Sequence, residues 1–234
     1  MKKNDLFRFK SFEITHKLNG QKVSTDSVLL GAWAKVNHAE KILDIGTGCG
    51  ILALMAAQRN FNAFITAIEK NELFLTEACK NFQSSPFRNR IEGIHSNATD
   101  FKGKFDSILC NPPYFRNALL SPDAKRNEAR HSEDLDISVL IKKASELLSE
   151  RGILSLVFPF QYFPMAEEEA GKNKFNLVRI CEVRHNQNSN TPSLILAEYS
   201  LIKRALEKEE LIIKNGNNYS QKYSNLLGEF LLIF

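Results

Sequence analysis

The chain has 234 residues, is 43% hydrophobic and contains 17 phenylalanines, enough apolar material for one good core and a single domain over 1–234. Its net charge of +4 permits an RNA partner and does not require one. No apolar run approaches the roughly 18–20 residues of a membrane span, and the basic segment 1–10 lacks an apolar signal region, so a cytoplasmic protein without membrane contact, expected to be a monomer, is implied.

The first predicted element is a helix starting near Val28, with Thr25 and Asp26 as N-caps. Next, Lys41-Ile42-Leu43-Asp44-Ile45 is a short apolar run ending near an acid. Glycines follow at alternate positions, Gly46, Gly48 and Gly50, and then the apolar stretch 51–57. This reads as strand, tight loop, helix, because glycines let a backbone turn sharply and approach a ligand. A strand over 63–68 ends in Glu69, and a helix covers about 71–83. Ser84-Ser85-Pro86 breaks the chain before a third strand at 90–95, followed by Ser96-Asn97-Ala98-Thr99-Asp100. A turn at Lys102-Gly103-Lys104 precedes strand four at 105–110, which runs directly into Asn111-Pro112-Pro113-Tyr114. A polar stretch over 115–134 leads to a helix at 137–148 and strand five at 153–158. The segment 161–174 suits a helix broken early by Pro164, and 177–183 and 194–201 are the last two strands. Strands alternating with helical patterns predict an α/β, doubly wound, mostly parallel sheet. The two late strands, with no helix between them, predict an antiparallel hairpin at one edge.

Four cysteines, at 49, 79, 110 and 181, form no close pair, so neither a zinc cluster nor a disulfide framework is expected. Cys49 lies inside the glycine motif and Cys110 directly precedes Asn111-Pro112-Pro113-Tyr114, where a disulfide would interfere, and a reducing compartment suits them.

Asn111-Pro112-Pro113-Tyr114 offers what an exocyclic amine needs in order to be alkylated. The Asn111 side-chain oxygen can accept one N–H of a planar amino group and the Pro112 carbonyl the other, while two prolines fix φ and supply no N–H of their own. Two acceptors aimed at one amine favour pyramidal nitrogen and localise its lone pair. Tyr114 supplies a flat face on which an extruded base can stack, worth roughly 1–3 kcal/mol. The glycine loop supplies the other partner. A pyrophosphate there would be repelled by Asp44, whereas the cationic amino group of S-adenosylmethionine (SAM) would be attracted. Glu69 is placed to accept hydrogen bonds from both hydroxyls of a ribose, which suits SAM and NAD alike.

Asp44–Gly50, Glu69 and Asn111–Tyr114 together resemble the class I SAM-dependent methyltransferases that modify amino nitrogens. The segment 22–34 is similar to the one preceding the SAM fold in the bacterial tRNA1(Val) adenine-37 N6-methyltransferases, and 223–230 is similar to that family's C-terminal signature. The resemblance covers nearly the whole chain. It implies a Rossmann-like domain with a seven-stranded sheet, SAM as cofactor, and tRNA as substrate at the adenosine just 3′ of the anticodon. It also implies that residues 1–38 pack on the cofactor side and that Thr25 and Asp26 close over the methionine end of SAM. In related enzymes an acid after strand three contacts the adenine amine; here Asn97 and Asp100 both remain candidates.

The basic residues Arg116, Lys125, Arg126 and Arg130, together with Pro113, form the candidate RNA-contacting set, with Lys172, Lys174 and Arg179 as a possible extension. No general base and no metal are expected, since the sulfonium carries the reactive methyl and the methylated amine is itself strongly acidic. The competing assignments are another amine acceptor (DNA adenine, guanine N2, a protein glutamine amide), an NAD-dependent oxidoreductase, and a catalytically silent RNA-binding protein. The G-x-G-x-G spacing and the Asn-Pro-Pro-Tyr loop count against NAD.

Overall fold

The computed structural model describes residues 5–16, 23–112 and 136–234. Among these, the strands are β1 (Leu6–Arg8), β2 (Glu13–Thr15), β3 (Lys41–Ile45), β4 (Phe64–Glu69), β5 (Ile91–His95), β6 (Phe105–Cys110), β7 (Leu148–Pro159), β8 (Asn176–Asn186), β9 (Leu194–Ser200), β10 (Glu207–Asn215) and β11 (Asn218–Tyr219). The helices are α1 (Thr25–Trp33), α2 (Ile51–Arg59), α3 (Glu72–Ser84), α4 (Ile137–Leu147), α5 (Phe163–Lys172) and α6 (Gln221–Leu227).

Nine strands form one sheet in the order β11-β10-β8-β9-β7-β6-β3-β4-β5. The segment from β5 to β7 is parallel, and β9 runs antiparallel to both β7 and β8. The seven expected strands and their antiparallel hairpin are therefore present. Two further strands of this sheet were not expected, nor was the separate hairpin β1–β2: β10 pairs parallel with β8, and β11 turns back on β10 at the sheet's edge. Glu207-Lys208-Glu209-Glu210 hides the first of these, because β11 pairs only with Lys214 and Asn215, so along 207–210 the strand lies at the open edge, its side chains reach water and no alternation survives. The strand β7 is also longer than expected, since Leu148 pairs with Phe105 ahead of an irregularity in register.

The strands β3, β4, β6 and β7 are almost continuously buried, as a sheet covered on both faces requires. One apolar cluster joins α1, α2, α3, α6 and the N-terminal hairpin on one face; the other joins α4 and α5. The helix α1 is fixed at both ends. Ser24, rather than Thr25 or Asp26, is its N-cap, with its side chain accepting from the Ser27 amide; Thr25 and Asp26 occupy the first turn. At the other end, Arg59 donates to the carbonyls of Gly31 and Ala34, and Arg179 donates to that of Trp33. Gly31 allows close packing on α2, because a Cβ there would meet the Met55 sulfur at 2.6 Å.

The hairpin β1–β2 packs on this same layer. Phe9, Phe12 and Ile14 are buried in it. The side chain of Asn81 on α3 accepts from the Thr15 amide at 3.0 Å and donates to the carbonyls of Thr15 at 2.9 Å and Cys49 at 2.8 Å. One buried carboxamide thus ties the N-terminal hairpin to the glycine loop.

Candidate active site

Parallel register brings three candidate residues to one end of the sheet. Asp44 on β3 lies opposite Ala67 on β4 and Leu109 on β6, so Glu69 and Asn111 each emerge two residues beyond, at the carboxyl ends of their strands. The chain proceeds from β3 outward to β4 and β5, then returns to β6 on the other side of β3. That reversal opens the crevice in which doubly wound sheets bind ligands.

The backbone of the loop between β3 and α2 is held against β4. Gly46 and Thr47 donate to the Ile68 carbonyl at 2.9 and 3.1 Å, and Gly46, Gly48 and Gly50 all have positive φ. Gly50 is the most constrained. At φ +89° a Cβ would lie 2.4 Å from a ring carbon of Phe82. The Cys49 thiol in this loop is pushed up to about 12 by burial, and burial also raises Cys110 well above its ordinary range, so both stay protonated packing groups. All four cysteines are free.

Asp44 is fully buried. Its Oδ2 accepts from the Thr47 hydroxyl at 2.6 Å and the Ala53 amide at 3.1 Å. Its Oδ1 is buried with no hydrogen-bond partner. Burial pushes the carboxyl up to about 7, with the charge of Glu69 adding to the rise and the bonds from Thr47 and Ala53 opposing it. An unpartnered buried carboxylate oxygen is costly unless a donor reaches it. A ligand ammonium is such a donor, so the residues present fit the amino-acid end of SAM.

Glu69 is 7% exposed. Its Oε2 accepts from the Gly48 amide at 3.1 Å and its Oε1 from the Asn71 amide at 3.0 Å. Each oxygen retains a lone pair for a ribose hydroxyl. Asn97 and Asp100 are both exposed at the end of β5. The Asn97 side-chain oxygen accepts from the Thr99 amide and its carbonyl from the Asp100 amide, so the two share one turn and both remain candidates for the adenine.

Asn111 follows β6, and its Nδ2 donates to the Ser27 hydroxyl oxygen on α1 at 2.8 Å. The first turn of α1, which also carries Asp26, thereby meets the reactive loop. Ser27 lies within the segment 22–34 that carries part of the family resemblance, but sequence reasoning singled out only its neighbours Thr25 and Asp26. Pro112 is buried beside Asn111. Pro113, Tyr114, Arg116, Lys125, Arg126 and Arg130 lie outside the described residues. Arg179, read as an extension of the RNA-contacting set, is engaged within the protein. Its guanidinium packs 4.0 Å from the Trp33 ring centroid and pairs with Glu209 and the buried Glu198, because a cation so placed is needed by the acids around it. Lys172 pairs with Glu168 and Glu169.

The chain matches the methyltransferase small domain family model over residues 20–179. It is 37% identical over 231 residues to a tRNA1(Val) (adenine(37)-N6)-methyltransferase of Aliivibrio salmonicida, covering 98% of both chains. It is 36% identical over 233 residues to the one of Bacteroides thetaiotaomicron, again covering 98% of both. The chain belongs to this methyltransferase family. Among solved structures, a predicted O-methyltransferase from Agrobacterium tumefaciens aligns with a TM-score of 0.70 at 18% identity, covering 88% of this chain and 96% of that one. M. jannaschii TYW2, solved in complex with AdoMet, aligns with a TM-score of 0.54 at 16% identity, covering 84% and 86%. At such identities the likeness speaks for the fold. The class I methyltransferase sheet expected of the family is the one observed, and the enzyme is a methyltransferase, not an NAD-dependent oxidoreductase.

Proposed function

We propose that this methyltransferase uses SAM to methylate the N6 amine of adenosine 37 in tRNA1(Val), the reaction for which its near-full-length relatives are named. The observation that carries the assignment is the convergence of Asp44, Glu69 and Asn111 at the carboxyl ends of three adjacent parallel strands. SAM, when bound, supplies an electrophilic methyl on a sulfonium. Asp44 and Glu69 would hold its ammonium and ribose, the backbone of Gly46, Gly48 and Gly50 would allow its close approach, Asp26 would serve its methionine end and Asn97 or Asp100 its adenine. Asn111 Oδ1 and the Pro112 carbonyl each accept one N–H of the target amine, and Tyr114 stacks on the base. As the nitrogen becomes cationic these two acceptors gain strength, and the surplus proton leaves through them to water.

The target base must leave its stack to reach the loop, which favours a nucleotide of the anticodon loop over a paired one. Pro113, Arg116, Lys125, Arg126 and Arg130, directly after the reactive asparagine, make up the RNA-contacting set. The support is their place in the sequence, adjoining the site. The chain acts as one domain over 1–234, as a cytoplasmic monomer, with residues 1–38 on the cofactor side; Asn81, reaching both Thr15 and Cys49, supports that placement. Nucleoside mass spectrometry of valine tRNA from a deletion strain tests the assignment. Loss of N6-methyladenosine, restored by the wild-type gene and not by Asn111→Ala, is expected; retention of the modification would overturn it.

A further inference from the structure

We infer that Ser27 is a positioning residue for the reaction, anchoring the Asn111 carboxamide through its nitrogen, the arrangement in which its oxygen is the end that can face the target amine. This rests on the amine-methylation assignment above. A carboxamide is nearly symmetric in shape, and an asparagine at the end of a strand can present either end to a substrate. Only the oxygen can accept an amine N–H; a flipped side chain would set donor against donor. The hydrogen bond from Asn111 Nδ2 to Ser27 Oγ, at 2.8 Å, engages the nitrogen on the α1 side and turns Oδ1 away from it.

The support behind Ser27 is rigid. Its amide donates to the Ser24 hydroxyl at 3.2 Å, and the two hydroxyl oxygens lie 3.1 Å apart, with the Ser24 hydroxyl donating to that of Ser27. Ser27 is only 8% exposed, so its hydroxyl faces the protein interior. The far end of α1 is held by Arg59 and Arg179. Next to it, the Lys35 amide donates to the buried Glu198 carboxylate at 2.6 Å. A helix pinned at both ends thus carries an acceptor into the reactive loop from 84 residues away in sequence. Supporting contacts of this kind fix a reacting group within the narrow tolerance that chemistry requires.

The test is a double-mutant cycle in single-turnover methylation of valine tRNA. Ser27→Ala should lower the rate about 10–100-fold, the scale on which groups orienting a reactive side chain act, while SAM affinity measured by calorimetry stays within about twofold. Ser27→Thr, which keeps the hydroxyl, should recover most of the rate. In an Asn111→Ala background Ser27→Ala should cost nothing further, since no amide remains to orient. Equal losses in both backgrounds, or an unchanged rate in Ser27→Ala, would overturn the positioning role and leave the assigned reaction standing. Full activity of Asn111→Ala alone would instead remove the role of the loop itself.

Discussion

Asp44 illustrates how one buried oxygen can make ligand binding depend on pH. Its carboxyl titrates near 7 in the free protein because burial penalises the charged form. A ligand ammonium beside Oδ1 favours the carboxylate, so the complex has the lower pKa and holds fewer protons than the free protein. Affinity must therefore rise with pH through the window below about 7, by up to roughly tenfold per unit, and level off above it. Calorimetry with S-adenosylhomocysteine from pH 5.5 to 8 should show this slope with proton release, and Asp44→Asn should abolish it; a flat profile in wild type would mean that the ammonium lies elsewhere. Glu69 is tested more simply. Glu69→Ala should weaken the same ligand by about 1.5–3 kcal/mol, the range for hydrogen bonds to a charged group, whereas an unchanged affinity would return it to the role of bracing Gly48 and Asn71.

Among the elements, the junction of the glycine loop with α2 and α3 is the least tolerant of change. Gly50→Ala forces a Cβ into Phe82 at a backbone angle that L-residues avoid. Strain and overpacking together should cost about 2 kcal/mol or more in chemical denaturation, and ligand affinity should fall with it. Asn81→Ala leaves the Thr15 amide and the Thr15 and Cys49 carbonyls without their partner. A loss of about 1–3 kcal/mol is expected, again with weaker ligand binding, because the loop and the hairpin lose their common anchor. Wild-type affinity in Asn81→Ala would show that the loop holds its shape through its bonds to the Ile68 carbonyl, Glu69 and Asp44 without Asn81.

Across the whole molecule, the turn of the N-terminal hairpin meets the segment 228–234. The Lys10 amide donates to the Phe230 carbonyl at 2.8 Å, its ammonium donates to the carbonyls of Gly228 and Phe234 at 2.6 and 2.9 Å, and Phe9 bridges to Leu231. Deleting residues 1–15 should therefore lower stability and SAM affinity together, since the deletion uncovers core phenylalanines and strips Asn81 of a partner. RNA recognition belongs to this scale as well. Activity on tRNA should fall steeply with salt through counterion release. Removing charge at Arg116, Lys125, Arg126 and Arg130 together should raise the Michaelis constant for RNA and leave SAM affinity unchanged. Identical RNA affinity across a salt series would assign that loop to solvent.

Local chemistry determined much of this in advance. Glycines spaced for a tight turn, an acid closing an apolar run and a proline-stiffened asparagine loop are short-range patterns, legible because each acts within a few residues. The central strands were legible for a related reason: sheets buried on both faces demand continuous apolar runs. The strand β10 was not, because over 207–210, where β11 does not reach, a strand may carry four consecutive charged residues and is specified by its neighbour β8. The Ser24 cap was missed beside two other competent capping residues, Thr25 and Asp26, which only the actual start of the helix tells apart. Arg179 reads as a surface cation until Trp33 and Glu198 arrive from distant parts of the chain to enclose it. The same holds for Ser27 and Asn111, and for Asn81 with Thr15 and Cys49. Each is a hydrogen bond between residues far apart in sequence, and parallel register together with helix packing, rather than any motif, brings the partners within 3 Å.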